Sequence, residues 1–427
     1  MTNVFDPTQR ILHMKKVIVV QRVDPGSDEL KDKRQLAELK DLAYAANYSV
    51  VGEVIQSRYP DKKYQLGKGK VQELALAVES LNAEKVIFCN ELSSMQLYHI
   101  TDICKCAVID KFQLILEIFA LRATTRRAKL QVELARLEYE IPRARIIVSH
   151  LKKEERPGFM GLGSYEDSYE QDIKGRIARI KDELSHVQSH NDSLRSFRHA
   201  HGLSLVALAG YTNAGKSTLF NALMGEGVDV ADMLFTTLSP VARYMDVIGR
   251  KVVLTDTVGF IEDLPHWLID AFRSTLNEIF FADIILLVVD ASEPLDIMHD
   301  KLLTCHETLW EQVHGASMIT VMNKTDLISH EDLNGKMEAL GYLVPNPVFI
   351  SAKTMNGLDE LRQAIRDKLP VWKRKEISMP LSEHSMSVLS WLFKEGVVHS
   401  VKYADKILVD LEAREEVMNK IQSFSPP

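Results

Sequence analysis

An apolar run, a glycine loop and a helical pattern follow one another without interruption in SLVALAGYTNAGKSTLFNAL, residues 204–223. A strand that feeds a Gly-x-x-x-x-Gly-Lys-Ser loop into a helix is the order in which a chain builds a phosphate cradle from its own backbone. The glycines let the amides turn inward around a β-phosphate with no Cβ in the way. The apolar run Ser204–Ala209 supplies the strand, and Ser217–Leu223 reads as the helix, with Leu219 and Leu223 four apart on one face. The pattern implies a bound nucleoside triphosphate, with Gly210, Asn213, Ala214, Gly215, Lys216, Ser217 and Thr218 against it. Lys216 is expected on the β- and γ-phosphates and Ser217 on magnesium.

Three later segments fit the same chemistry. Val252–Leu254 leads into Asp256-Thr257-Val258-Gly259, an acid at a strand end followed by a glycine whose amide is free to face a γ-phosphate. Asp256 is the expected carboxylate behind the magnesium. Met318–Met322 delivers Asn323-Lys324-Thr325-Asp326. Two carboxylate oxygens on Asp326 match the N1–H and exocyclic amine of guanine, whereas adenine presents an acceptor at N1, so the spacing argues for GTP over ATP. Asn323 is expected to tie this loop to the phosphate loop, and the Lys324 stem to lie over the base. Val348–Ile350 then ends in Ser351-Ala352-Lys353, small residues whose amides are expected at the guanine O6.

Residues 232–240 contain Thr236-Thr237, and Thr237 is the favoured hydroxyl for completing magnesium coordination in the triphosphate state, which makes this segment a switch. A second switch is expected from Gly259 through Pro265. Lys216, Thr237 and Gly259 are the candidate catalytic residues, and Ser217, Thr237 and Asp256 the candidate metal set. Phe260 stands where many GTPases place a water-orienting glutamine; it has neither donor nor acceptor, so intrinsic hydrolysis is expected to be slow. A monovalent cation such as K+ held by Asn213, or a macromolecular partner that orders both switches, would supply the missing positioning.

The rest of the chain reads as further domains. With 427 residues, of which 46% are hydrophobic, it exceeds what one core usually supports. The fold expected is α/β: a P-loop GTPase domain with a mostly parallel sheet (201–373), preceded by a small parallel α/β domain (1–120) and a long helical hairpin (121–200), and followed by a small α+β domain (374–427). In the first domain, strands are expected at 16–20, 48–55, 85–89 and 106–110, with helices at 29–46 and 70–81. Leu66-Gly67-Lys68-Gly69-Lys70 reads as a helix-entry turn, with a second phosphate loop for ATP as the alternative. The hairpin is expected from Leu130, Leu134, Leu137 and Ile141 on one helix, ended or bent by Pro142, and Ile173, Ile177, Ile180 and Leu184 on the other. Its glycine-rich loop, 156–165, carries Phe159, Met160 and Tyr165 and suits contact with a partner. At the far end, helices are expected at 382–393 and 414–421 and strands at 396–403 and 406–411.

Charge and cysteines narrow the class. The net charge of −7 argues against a protein that coats nucleic acid, yet residues 122–156 hold ten Lys/Arg against five Glu, a basic strip that suits phosphate backbones at one place. A solvated helix face is the plainer alternative. Cys104-Lys105-Cys106 is expected to alternate along a strand, and Cys89, Cys104, Cys106 and Cys305 to be buried or half-buried thiols. No apolar run approaches a membrane span and the first residues are unlike a secretory start, so a cytoplasmic protein is expected.

The motifs resemble the HflX family of GTPases over nearly the whole chain. The likeness runs through Tyr64–Lys70, Val108–Asp110, Leu114–Ala120, Lys129–Ala135, Gly210–Asn221, Leu234–Leu238 and Asp256–Ile261, and continues at Leu264–His266 and Ala271–Phe272. The resemblance implies a GTPase that turns GTP into GDP and phosphate with Mg2+. It further implies binding to the large ribosomal subunit and its rRNA, in ribosome rescue, splitting or stress response, with no DNA partner and a monomer when free. Residues 161–172 depart from the family's loop pattern, keeping its glycines but not its proline, its leucine or its basic pair. A guanine-nucleotide-dependent adaptor for a non-ribosomal protein or RNA is the alternative.

Overall fold

The computed structural model describes residues 14–154, 171–185, 203–225, 241–257, 259–260, 279–310, 316–414 and 417–420. The described residues fall into two compact units, one on each side of residue 189.

The first unit is built on a four-stranded sheet ordered β2-β1-β3-β4, comprising β1 Lys15–Val23, β2 Tyr48–Ser57, β3 Lys85–Phe88 and β4 Ala107–Asp110, every pair parallel. Parallel neighbours need crossovers. These are α1 Glu29–Ala45, α2 Lys68–Leu81 and α3 Ser94–Cys104, followed by α4 Lys111–Arg122. On α1, Leu36, Leu39 and Ala43 are buried as their spacing predicts, and Asp28 caps the helix through its side chain. Helix α2 begins two residues before the expected start, so Gly67 is its N-cap and Lys68 and Lys70 lie in its first turn.

The cysteine pair is not on a strand. Cys104 ends α3, Lys105 is a left-handed cap at φ 52°, and Cys106 precedes β4. A left-handed residue between them breaks the alternation, and both thiols pack on the same core around Ile18, Val86 and Phe88. All four cysteines are free, with Cys104 and Cys305 buried and Cys89 and Cys106 half-buried.

Helix α5, Arg126–Glu154, is the long arm of the unit. It continues through Pro142, so of the two expected outcomes, an end or a bend, the helix does not end there. An interior proline removes its own N–H and crowds the carbonyl four residues back, a cost that the rest of a 29-residue helix outweighs. Residues 171–185 form a helix, α6, which packs Ile173, Ile177, Ile180 and Leu184 against Leu130, Leu134, Leu137 and Ile141, as the periodicity predicts. Ion pairs zip the two together: Arg126 with Glu183 at 2.6 Å, Arg176 with Glu133 at 2.7 Å and Lys181 with Glu138 at 2.8 Å. Of the basic strip only Arg126 enters these three pairs as the cation; the strip's Glu133 and Glu138 are met by Arg176 and Lys181 on α6. Tyr139 on α5 donates to the buried Asp110 carboxylate, which also accepts from the amides of Leu92 and Gln113, and this fastens the hairpin to the sheet. The loop 156–165 lies outside the described residues.

The second unit holds a six-stranded sheet, β10-β9-β8-β5-β7-β6. Its strands are β5 Ser204–Gly210, β6 Val241–Val247, β7 Arg250–Asp256, β8 Ile284–Asp290, β9 Ser317–Asn323 and β10 Val348–Phe349. All pairs are parallel except β6 with β7. Every residue of β5 and β8 is buried, as strands covered on both faces require. The flanking helices are α7 Lys216–Met224, α8 Leu295–Trp310, α9 His330–Leu340 and α10 Leu358–Lys368.

A three-stranded antiparallel sheet follows, ordered β11-β13-β12, from β11 Lys373–Pro380, β12 Gly396–Tyr403 and β13 Lys406–Ala413, with α11 Glu383–Glu395 against it. Strand β11 escapes the sequence reading because Lys373 to Glu376 are all charged and exposed. This sheet grips the β6–β7 turn. Ile248 and Gly249 are both left-handed, at φ 49° and 83°, a two-residue turn of the kind that matches strand twist. The Arg250 guanidinium stacks 4.1 Å from the Trp372 ring and donates to the Pro370 carbonyl at 2.8 Å. Arg366 on α10 donates to the Ile248 carbonyl and forms a bidentate pair with Glu412 on β13, at 2.7 and 2.6 Å.

Candidate functional site

The loop 210–217 rises from the carboxyl end of β5, the edge where open α/β sheets bind ligands. Two glycines are left-handed, Gly210 at φ 139° and Gly215 at φ 92°. A Cβ on Gly210 would lie 2.2 Å from the Val288 carbonyl, and one on Gly215 2.3 Å from Asn323 Nδ2. Neither position admits a side chain. Asn213, at φ 63°, is the exposed crest of the loop.

Lys216 opens α7 and is almost fully buried. Its ammonium donates to the carbonyls of Gly210 at 3.0 Å and Tyr211 at 2.7 Å. Burial pushes its pKa down to about 8, against the pull of Asp256. Gly259 approaches so closely that a Cβ there would meet Lys216 Nζ at 2.8 Å. The next residue, Phe260, is buried; its amide donates to the Gly210 carbonyl at 3.0 Å and its carbonyl accepts from Thr212 N at 2.8 Å. The start of the expected second switch is therefore paired to the phosphate loop through backbone, with a hydrophobic side chain underneath.

Ser217 and Asp256 come together: the Ser217 hydroxyl donates to Asp256 Oδ2 at 2.7 Å. A hydroxyl and a carboxylate at the mouth of the loop are hard oxygen donors that suit Mg2+, which takes one or two protein oxygens and leaves the rest to phosphate and water. The donor set therefore fits the ion. Thr237, the third expected ligand, lies outside the described residues.

The base-side loops close on the same point. Asn323, the last residue of β9, is buried and donates to the Ala214 carbonyl at 2.9 Å while accepting from the Ala352 amide at 3.0 Å. One side chain thus holds the phosphate loop and both base-side loops, the link its spacing predicts. Lys324 is left-handed at φ 62° and starts a single 3-10 turn, Thr325–Leu327, that carries Asp326.

Ser351 has a role that sequence reasoning missed: its hydroxyl donates to Asp326 Oδ1 at 2.6 Å, fixing the carboxylate expected to read the base. Its amide donates to Asn356 O at 3.0 Å, and the Ala352 amide is held by Asn323, so these two N–H groups are engaged inside the loop rather than pointing outward. The only advance signal was a hydroxyl 25 residues from the acid.

A mostly parallel sheet carrying a glycine phosphate loop, a Ser/Asp pair at its mouth and an Asn-Lys-x-Asp turn braced by serine defines a P-loop GTPase. Residues 205–324 match the family described as 50S ribosome-binding GTPase, residues 33–120 match GTP-binding GTPase N-terminal, and residues 122–198 match GTP-binding GTPase Middle Region. The chain belongs to the HflX family of GTPases: it is 39% identical to GTPase HflX of Methanocaldococcus jannaschii over 92% of this chain and 96% of that protein. The GTPase HflX of Thermococcus kodakarensis is 37% identical, over 92% of each chain, and that of Escherichia coli 38%, over 79% of this chain and 80% of its own. A crystal structure of a GTP-binding protein from Sulfolobus solfataricus in complex with GDP is 27% identical over 83% of this chain and 99% of that one, with a TM-score of 0.48. No described helix is long and apolar enough to cross a membrane.

Proposed function

We propose that this GTPase is a switch that binds the large ribosomal subunit in its GTP state and leaves after hydrolysis, in ribosome rescue, splitting or stress response. The observation that carries the nucleotide part is the single buried Asn323 side chain bonded to both Ala214 and Ala352, which makes the phosphate loop and base loop one site. The ribosomal part is supported by the match of residues 205–324 to a family described as ribosome-binding.

In this reading the amides of residues 213–218 and the Lys216 ammonium hold the triphosphate, and Asp326, braced by Ser351, reads the guanine edge. Lys324 and the loop through Lys353 line the base. Ser217 and Thr237 would hold Mg2+, with Asp256 behind them; when bound, the ion neutralises charge developing on the phosphate oxygens. Gly259 brings its amide to the γ-phosphate side, and Asn213 is the residue placed to hold K+ there. Phe260 offers no group to orient water, so the free protein turns over slowly and the ribosome supplies the ordering.

The division into 1–120, 121–200, 201–373 and 374–427 assigns ribosome contact to the first two segments, with the rRNA meeting the basic strip and the loop at 156–165. We place the protein in the cytoplasm, as a monomer when free. Co-sedimentation with isolated large subunits tests this. Pelleting with a non-hydrolysable GTP analogue but not with GDP, weakened by salt, is the expected result. Nucleotide-independent pelleting, or none, together with GTP turnover unchanged by subunits, refutes the ribosomal switch.

A further inference from the structure

Lys324 carries the stem assigned to the guanine plane, but its ammonium is tied at 2.7 Å to Oδ2 of Asp290. Asp290 ends β8, directly opposite Asn323 in the β8–β9 register, and it is 8% exposed. Its other oxygen accepts from the Ser292 amide at 3.0 Å and the Ser292 hydroxyl at 2.6 Å. The carboxylate therefore cannot swing, because Ser292 fixes one oxygen while Lys324 occupies the other.

Two further facts give this pair a direction. Lys324 sits at φ 62°, a conformation lysine rarely takes and one that persists only where neighbours over-determine it. Asp290 also lines a narrow cleft together with Tyr211, Thr212 and Ala214, so the anchor stands on the phosphate-loop side of Lys324. A lysine stem has four rotatable bonds, and an unanchored one loses that freedom when a base slides beneath it.

We propose that Asp290 is a positioning residue for the guanine nucleotide: it pins the Lys324 ammonium so that the aliphatic stem is a preformed roof over the base. This rests on the assignment of residues 323–326 to the base. Asp290 touches no reacting atom and reads no edge of the purine. Its loss acts on affinity alone, equally for GTP and GDP.

The test is a double-mutant cycle of Asp290→Asn and Lys324→Met, each titrated with fluorescent GDP and GTP analogues and followed by single-turnover hydrolysis at saturating GTP. Asn keeps the acceptor for Ser292, and Met keeps the stem without its charge. Asp290→Asn is expected to weaken both nucleotides about tenfold, the value of one charge-assisted bond, while the GTP-to-ATP preference and the saturated rate stay at wild type. In the Lys324→Met background the same change is expected to shift affinity by less than about twofold. Lys324→Met alone, with an unchanged melting temperature, shows the loss even should Asp290→Asn fold poorly. An unaltered affinity in Asp290→Asn, or a loss that persists without the Lys324 charge, overturns the proposal. Wild-type protein that ignores guanine nucleotides overturns the base assignment beneath it instead.

Discussion

Replacing Asn323 with Ala tests the joint on which the whole site depends. The side chain is 2% exposed and holds two backbone groups, the Ala214 carbonyl at 2.9 Å and the Ala352 amide at 3.0 Å. Truncation orphans both, and each buried unsatisfied group costs about 1–3 kcal/mol. Water entering the gap recovers part of this, so a net cost of about 2–3 kcal/mol is expected for holding the loops in their nucleotide-ready arrangement. That corresponds to a loss of roughly 30- to 150-fold in affinity for GDP and GTP. Equilibrium titration with a fluorescent GDP analogue reads it directly, and a thermal melt run alongside separates loop disorder from global unfolding. Asn323→Asp sharpens the result: it still accepts from Ala352 but sets a carboxylate oxygen against the Ala214 carbonyl, so it should be no better than Ala. A variant that binds within about threefold of wild type, about 0.65 kcal/mol and well under the loss expected, refutes the idea that this side chain organises the site.

Phe260→Gln introduces the amide that many GTPases use to orient water, yet the position is buried and its backbone is paired with Gly210 and Thr212; single-turnover hydrolysis should not accelerate, and a tenfold gain, about 1.4 kcal/mol of barrier, would sink the argument. Glu412→Gln removes the charge that Arg366 meets in a bidentate pair whose side chains are 17% and 14% exposed, and a loss of about 2–4 kcal/mol in denaturant unfolding is expected; an unchanged midpoint contradicts it. Tyr139→Phe deletes the bond from α5 to buried Asp110 and should lower stability by about 1.5–3 kcal/mol, measured by urea titration, with GTP affinity untouched.

The parallel strands were readable because burial on both faces leaves uninterrupted apolar runs, as in Ile284–Asp290, and the loops at 210–217 and 323–326 because their chemistry depends on fixed spacing. Asn323's bridging role was visible for the same reason. Strands β6 and β11 were not, since an edge strand exposes most of its residues and carries no apolar signature. At Pro142 an end or a bend was expected, and the helix does not end, because a proline's local cost is spread over a 29-residue helix that packs along its neighbour. The Cys104–Cys106 segment misled because nothing in a lysine codes announces a left-handed cap. Ser351 was singled out for an amide expected at the guanine O6, and its hydroxyl bond to Asp326 was not foreseen, because composition says which groups are present while only the turn says what they face.

The β6–β7 hairpin joins two ends of the nucleotide cycle. One strand follows residues 232–240, where the first switch is expected, and the other delivers Asp256. Its closed end is held by Arg250 to Pro370 and Trp372, just ahead of the C-terminal sheet, by Arg366, which links the Ile248 carbonyl to Glu412 on β13, and at Gly249, where even a methyl group would press on Val397 at 3.0 Å. Sliding β6 along β7 by a two-residue step would keep every side chain on its own face but would pull Ile248 away from Arg366 and Gly249 away from Val397. The small terminal module thus acts as ballast, setting the rest position from which any travel of the hairpin has to start.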